Sequence, residues 1–140
     1  MSSKTSPIYV SAVVFRNARG EVLCVRKRGT AVFMFPGGKP EEGESPRQAA
    51  VREVAEELGM AVPADSLALI DAYLAPAANE AGRDVHATVF ASDHHIDQAD
   101  IQLTAEIEEY AWVDPHPHAN NSMELAPLLT EHVFPRLTQH

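Results

Sequence analysis

The stretch Gly37-Gly38-Lys39-Pro40-Glu41-Glu42-Gly43-Glu44-Ser45-Pro46-Arg47-Gln48-Ala49-Ala50-Val51-Arg52-Glu53-Val54-Ala55-Glu56-Glu57-Leu58-Gly59-Met60 decides how the rest of the chain is read. It reads as a glycine-rich loop feeding a capped helix. Ser45 stands where an N-cap belongs, and Pro46 follows at the first helical position, where a missing N–H is harmless. Gln48, three residues on, completes a capping box with Ser45. Gly59 suits the left-handed position just past a helix end. At about 100° per residue, Val51, Val54, Ala55 and Leu58 form an apolar stripe. Glu53, Glu56 and Glu57 lie at spacings of three and four on the other side. Like charges so spaced repel by a few tenths of a kcal/mol per pair, about the size of a weak helix ion pair. Arg52 relieves part of this through Glu56, four residues on. A hard divalent cation relieves it better, because carboxylate oxygens are the ligands that Mg2+ prefers.

Gly38, Glu44, Arg52-Glu53-Val54, Glu56-Glu57 and Gly59-Met60 match the Nudix box at every defined position over residues 38–60. The chain therefore resembles MutT-like Nudix hydrolases. The resemblance implies an α/β chain with the Nudix-type α/β/α sandwich and a mixed β-sheet. It implies Mg2+, with Mn2+ as a substitute, held by Glu53, Glu56, Glu57, a carbonyl at Gly37 or Gly38, and a late glutamate, Glu106 or Glu109. It implies hydrolysis of the diphosphate bond of a nucleoside diphosphate linked to another group. Glu53 is the expected base, with Glu106 or Glu109 as the alternative, and Arg52 is expected to steer the carboxylates. Glu44 is expected to hold Arg52 and the loop, and Gly38 and Gly59 to shape the box. Gly37 and Lys39, in the Phe-Pro-Gly-Gly-Lys entry, fall on the substrate side. A (deoxy)nucleoside triphosphate is the leading substrate class. ADP-ribose and other sugar or dinucleotide diphosphates compete with it, and Pro76, sixteen residues past the box, leans toward these. A third reading is a Nudix-fold sensor that binds without cutting. Small members of the family frequently form homodimers.

Composition sets bounds. One hundred and forty residues are enough for one domain, 1–140, with a real core. No apolar run approaches the ~20 residues that span a bilayer. The first seven residues lack the apolar core of a signal peptide, so a cytoplasmic protein without a membrane partner is expected. Cys24 is the only cysteine, lies in a strand-like run, and reads as a buried structural thiol. The net charge of −9 argues against non-specific binding to a nucleic acid polymer. It would also repel a small polyphosphate unless metal ions and a local basic cluster offset it.

Along the chain, Ile8–Phe15 and Glu21–Arg26 read as strands joined by a turn at Gly20, together a hairpin. Arg26-Lys27-Arg28 cluster just before the box. An Arg fork matches phosphate oxygens, and Arg26 or Arg28 is the expected contact. Ala31–Phe35 reads as a short strand in which Phe33 is a core residue or a base-stacking surface. Glu41 and Glu42 read as solvated. Leu67–Leu74, Asp84–Ala91 and the run ending Trp112-Val113 read as later strands. His94-His95 with Asp93 and Asp97 reads as a polar loop rather than a metal site. Ser122–Leu137 reads as a C-terminal helix that Pro135 bends or ends.

Overall fold

The computed structural model describes residues 6–78, 80–104, 106–116 and 123–138. The strands are β1 (Ile8–Phe15), β2 (Val22–Lys27), β3 (Phe33–Met34), β4 (Gly37–Gly38), β5 (Leu67–Pro76), β6 (Asp84–Ser92) and β7 (Ile107–Val113). The helix α1 spans Pro46–Leu58. At the C-terminal end a wide π-helical turn, Leu128–Val133, runs into a short helix, α2 (Phe134–Leu137).

The strands form two sheets, a four-stranded one ordered β4-β1-β6-β5 and a three-stranded one ordered β3-β2-β7. The first is mixed, because β1 runs parallel to β6 and antiparallel to β4. The second is antiparallel. The expected β1–β2 hairpin is therefore corrected. The turn exists, with Gly20 at φ 78°, but only the Arg16–Val22 bridge joins the two strands. Beyond it they splay, each taking better partners in its own sheet.

The pattern of β1 shows why. Ala12, Val13, Val14 and Phe15 are all buried, so both faces of this strand are covered. Val13 and Phe15 join Leu23 and Val25 of β2 in one core with Ala50, Val54 and Leu58 of α1. Ala12 and Val14 join Val22 and Cys24 in a second core with Leu129, Val133 and Phe134. The two sheets thus share a layer between α1 on one side and the C-terminal helix on the other, an α/β/α sandwich. Cys24 is buried in the second core, and burial pushes its thiol well above the usual range.

Three further expectations change. The strand before the box shrinks to Phe33–Met34, and a second two-residue strand appears at the glycine pair. The C-terminal helix starts at Leu128 rather than Ser122, which lies outside the described residues. Its lead-in is extended, since Phe33 N–H donates to the Glu124 carbonyl at 2.8 Å and Ala126 N–H to the Phe33 carbonyl at 2.9 Å. The bend expected at Pro135 takes the form of the π turn just before it. Phe134 N–H reaches back to the Leu129 carbonyl, a wider closure that relieves the clash a proline ring makes with an α-helical carbonyl.

Ser11 stitches the sheet to α1. Its buried hydroxyl donates to the Pro46 carbonyl at 2.7 Å, in the first turn of the helix. Ser11→Ala should lower stability by about 1 kcal/mol, read as a melting temperature a few degrees lower. An unchanged melting point would show that this contact contributes nothing to docking the helix.

Candidate active site

The caps aim α1. Ser45 Oγ accepts the Gln48 N–H at 3.1 Å, and Gln48 Oε1 accepts the Ser45 N–H at 2.9 Å. At the other end Gly59, at φ 67°, turns the chain out of the helix. The carbonyls there are taken by a neighbouring segment: Gln102 N–H donates to Leu58 O at 2.8 Å and Thr104 N–H to Glu57 O at 3.4 Å.

Arg52 is the hub of the face. Its Nε and Nη2 grip both oxygens of Glu44 at 2.8 and 2.9 Å. Nη2 also donates to the Lys39 carbonyl at 3.0 Å. Nη1 donates to Glu53 Oε2 at 3.1 Å and reaches Glu56 only at 3.3 and 3.4 Å. One guanidinium thus ties the loop, the strand β4 and two helix carboxylates together. The paired Arg52 holds the Glu44 carboxyl below the usual range.

The glycine pair lies against the other side of these carboxylates. A Cβ on Gly38 would stand 2.4 Å from Glu53 Cδ. At Gly37, φ is 148° and a Cβ would stand 1.9 Å from the Ser11 carbonyl oxygen. Only glycine fits at Gly37, and at Gly38 any larger residue would push the Glu53 carboxylate aside. Gly37 N–H donates to Glu57 Oε1 at 3.0 Å. Glu57 is thus not on the outward face: it is 2% exposed, while Ala55, expected in the apolar stripe, is exposed. The buried face is Ala50, Val54, Glu57 and Leu58, with Val51 at its margin. Burial pushes the Glu57 carboxyl up to about 7 and, less far, raises that of Glu53.

These groups line one end of a cleft of about 490 Å3. At that end are Gly37, Gly38, Lys39, Arg52, Glu53, Glu56, Glu57 and Glu106. The remaining wall is largely apolar, with Ile8, Val10, Met34, Phe35, Pro76, Ala77, Val85, Leu128 and Leu129. Three of the expected substrate contacts lie elsewhere. Arg26 gives Nε to Glu109 at 2.8 Å and Nη1 to the Thr30 carbonyl at 2.7 Å. Arg28 pairs with Glu108 at 2.8 Å. Phe33 is a core residue. The basic strand residue that does line the cleft is Lys27. Strand alternation, which separates Lys27 from its two arginine neighbours, is the signal that could have found it. Glu41, read as solvated, also lines the cleft and lies 3.7 Å from Arg52. Of the two late glutamates, Glu106 lines the cleft, whereas Glu109 is occupied by Arg26.

Among the described residues no three His, Cys, Asp or Glu side chains are gathered as a ready metal cage, at His94-His95 or at the helix. On the helix the cause is visible: Arg52 draws Glu53 and Glu56 while Gly37 holds Glu57. The donor set nevertheless fits a hard divalent cation. The cleft lining carries six glutamates against two lysines and one arginine, and the exposed Glu56 is held only by the longest of the Arg52 hydrogen bonds.

The Glu57 shift has a stability consequence. A raised carboxyl binds its proton more tightly in the folded chain, so the folded state loses stability as pH rises from the ordinary carboxylate range through about 7. In chelator, Glu57→Gln should match the parent at pH 5 and melt several degrees higher at pH 8, a difference on the order of 3 kcal/mol. Equal melting curves at both pH values would contradict an ionised carboxylate buried there.

The match to known proteins agrees with this geometry. The NUDIX domain model covers residues 5–131. A solved MutT protein from Methanosarcina mazei Go1 superposes with a TM-score of 0.70 at 27% identity, covering 96% of each chain. An octanoyltransferase of Myxococcus xanthus is 34% identical over 76% of this chain and 30% of its own length. The 8-oxo-dGTP diphosphatase of Escherichia coli K12 is 39% identical over 38% of this chain and 44% of its own. The chain thus spans less than half the length of these two curated relatives. With a domain model matched across nearly its whole length and the box glutamates assembled on α1 beside the glycine pair, the chain belongs to the NUDIX domain family.

Proposed function

We propose that this protein is a Mg2+-dependent pyrophosphohydrolase that cleaves the diphosphate bond of a nucleotide, with a (deoxy)nucleoside triphosphate as the preferred class. The observation that carries this reading is the two-ended cleft. Its carboxylate-rich end suits a metal-bound polyphosphate, and its apolar wall suits a base.

Glu56 and Glu57, with Glu53 and the backbone at Gly38, are the residues that would hold the metal. When bound, Mg2+ would orient the diphosphate, acidify water and stabilise charge on the leaving oxygen. The chain supplies the rest. Glu53 gives Oε2 to Arg52 and leaves Oε1 without a protein donor among the described residues. We assign to that oxygen the role of taking the proton of the attacking water, with Glu106 as the alternative. Arg52 orients Glu53 and Glu56 and does not need to touch substrate. Lys27 and Lys39 bring positive charge to the phosphates in an otherwise acidic cleft. The relative named for 8-oxo-dGTP supports the triphosphate class. Pro76, Ala77 and Ala78 on the apolar wall favour a second reading, ADP-ribose or a related diphosphate.

Two sets of measurements test this. Turnover of a panel holding the nucleoside triphosphates, their oxidised forms, ADP-ribose and dinucleoside polyphosphates should require Mg2+ and vanish in chelator. Glu56→Gln and Glu57→Gln should each lower kcat roughly 100-fold or more, while Glu42→Gln, on the exposed loop, should leave it unchanged. Wild-type rates in either box variant would remove the metal assignment. Folded protein that binds nucleotides and cuts none of the panel would favour a sensor. Separately, Lys27→Met should raise KM several-fold, whereas Arg26→Met should leave KM near the parent value. The reverse pattern would return the phosphate contact to Arg26.

A further inference from the structure

The apolar part of the cleft has one exception. Away from the box, Glu80 is the one described lining residue whose side chain carries a nitrogen or an oxygen. It sits on the loop between β5 and β6, beside Pro76, Ala77 and Ala78 of the same wall. Strand register sets that loop apart from the box. Pro76 ends β5 opposite Asp84, and the next residue of β6, Val85, stands opposite Ile8 at the start of β1. Gly38, which lies against Glu53, stands opposite Ser11. Three residues of β1 separate Ile8 from Ser11, about 10 Å at the rise of a strand. The base of the Glu80 loop and the box glutamates therefore mark two ends of one cleft.

The loop is closed and tethered. Ala77 N–H donates to the Arg83 carbonyl at 2.8 Å, and Arg83 N–H to the Glu80 carbonyl at 3.2 Å. Arg83 Nη2 donates to the Ser6 carbonyl at 2.9 Å, just before β1. Its Nη1 stands 3.6 Å from Glu80 Oε2, too long for a hydrogen bond. Arg83 thus steers the Glu80 carboxylate and offsets its charge without occupying its oxygens. The carboxylate is 49% exposed, so a ligand in the cleft can reach it.

We infer that Glu80 reads the base of the substrate and selects an edge with two adjacent N–H donors, which among the four bases of DNA only guanine presents. The inference rests on the reading of this cleft as a nucleotide site. A carboxylate accepts hydrogen bonds and does not donate them. Guanine offers its ring N1–H and its amino group side by side, one for each oxygen. Adenine and cytosine set a single amino group beside a bare ring nitrogen, and thymine sets its one N–H between two carbonyls. Each of these turns an acceptor toward a carboxylate oxygen, and beside an apolar wall an unpaired acceptor costs more than it does in water. The Arg83 guanidinium, by offsetting the charge, suits Glu80 to a neutral donor pair rather than to a cation.

Calorimetric titration with methylene-bridged analogues of dGTP and dATP, which cannot be cut, tests this in Mg2+. The parent should bind the guanine analogue roughly 10-fold more tightly, and Glu80→Gln should bring the two dissociation constants to within about 2-fold. In turnover, the ratio of kcat/KM for dGTP over dATP should fall by a similar factor in Glu80→Gln and Glu80→Ala, through KM rather than kcat. A parent that binds both analogues equally, or neither, overturns the assignment. The 2′ and 3′ hydroxyls of a ribose are another pair of adjacent donors. If the ribonucleotide analogues of both bases bind more tightly than the deoxy forms, and Glu80→Gln removes that difference, the carboxylate holds the sugar and the base assignment falls. Equal binding with Mg2+-dependent turnover would remove this inference alone. Guanine-selective binding that Glu80→Gln abolishes, without turnover of any triphosphate, would uphold it and remove the hydrolase reading instead.

Discussion

The guanidinium of Arg52 is the constraint on which the site depends. Four acceptor groups meet at its nitrogens: the Glu44 carboxylate in the loop, the Lys39 carbonyl after β4, and the Glu53 and Glu56 carboxylates on α1. A lysine would bring the same charge but not the fork that grips both Glu44 oxygens at once. Because the arginine sits among carboxylates, it also neutralises part of a cluster that would otherwise repel itself. The positions of Glu53 and Glu56 follow from it, just as the position of Glu57 follows from the Gly37 amide.

The steric contribution of the two glycines complements that electrostatic one. Gly37 and Gly38 let β4 lie flat against both β1 and the carboxylates. The strand is only two residues long, yet it is what brings main-chain groups to the helix face. This end of the cleft carries an excess of acidic side chains. Besides Arg52 on the helix, the basic residues that temper it there are Lys27 and Lys39, from the end of β2 and the loop after β4.

Much of this was legible in the sequence, and what was not has identifiable causes. The ends of α1 could be read because Ser45, Pro46, Gln48 and Gly59 act locally, through bonds to their own neighbours. The strands β1, β5, β6 and β7 could be read because apolar, β-branched runs are local too. The β1–β2 hairpin was misread because a turn specifies a reversal of direction but not which sheet each arm joins; that depends on β6 and β7, far along the chain. Glu57 was read as outward because helical spacing gives its angle on the helix but not how far the glycine loop folds over it. Arg26 and Arg28 read as phosphate contacts from their clustering before the box and from the family resemblance, while pairing with Glu109 and Glu108 is a tertiary fact. The extended lead-in to the C-terminal helix is likewise a tertiary fact, since Ala126 N–H bonds the Phe33 carbonyl.

The bond from Thr104 to the Glu57 carbonyl has a mechanical meaning. Thr104 precedes Glu106 by two residues, so the segment that carries the late glutamate is moored to the same residue whose side chain meets Gly37. Glu57 is thereby fastened at its carboxylate to the entry loop and at its backbone to the run leading into β7. The glycine-loop wall and the Glu106 wall of the acidic end are thus tied to one residue. The spacing between those walls is preserved by attachment to one shared anchor, not by stiffness of either wall alone.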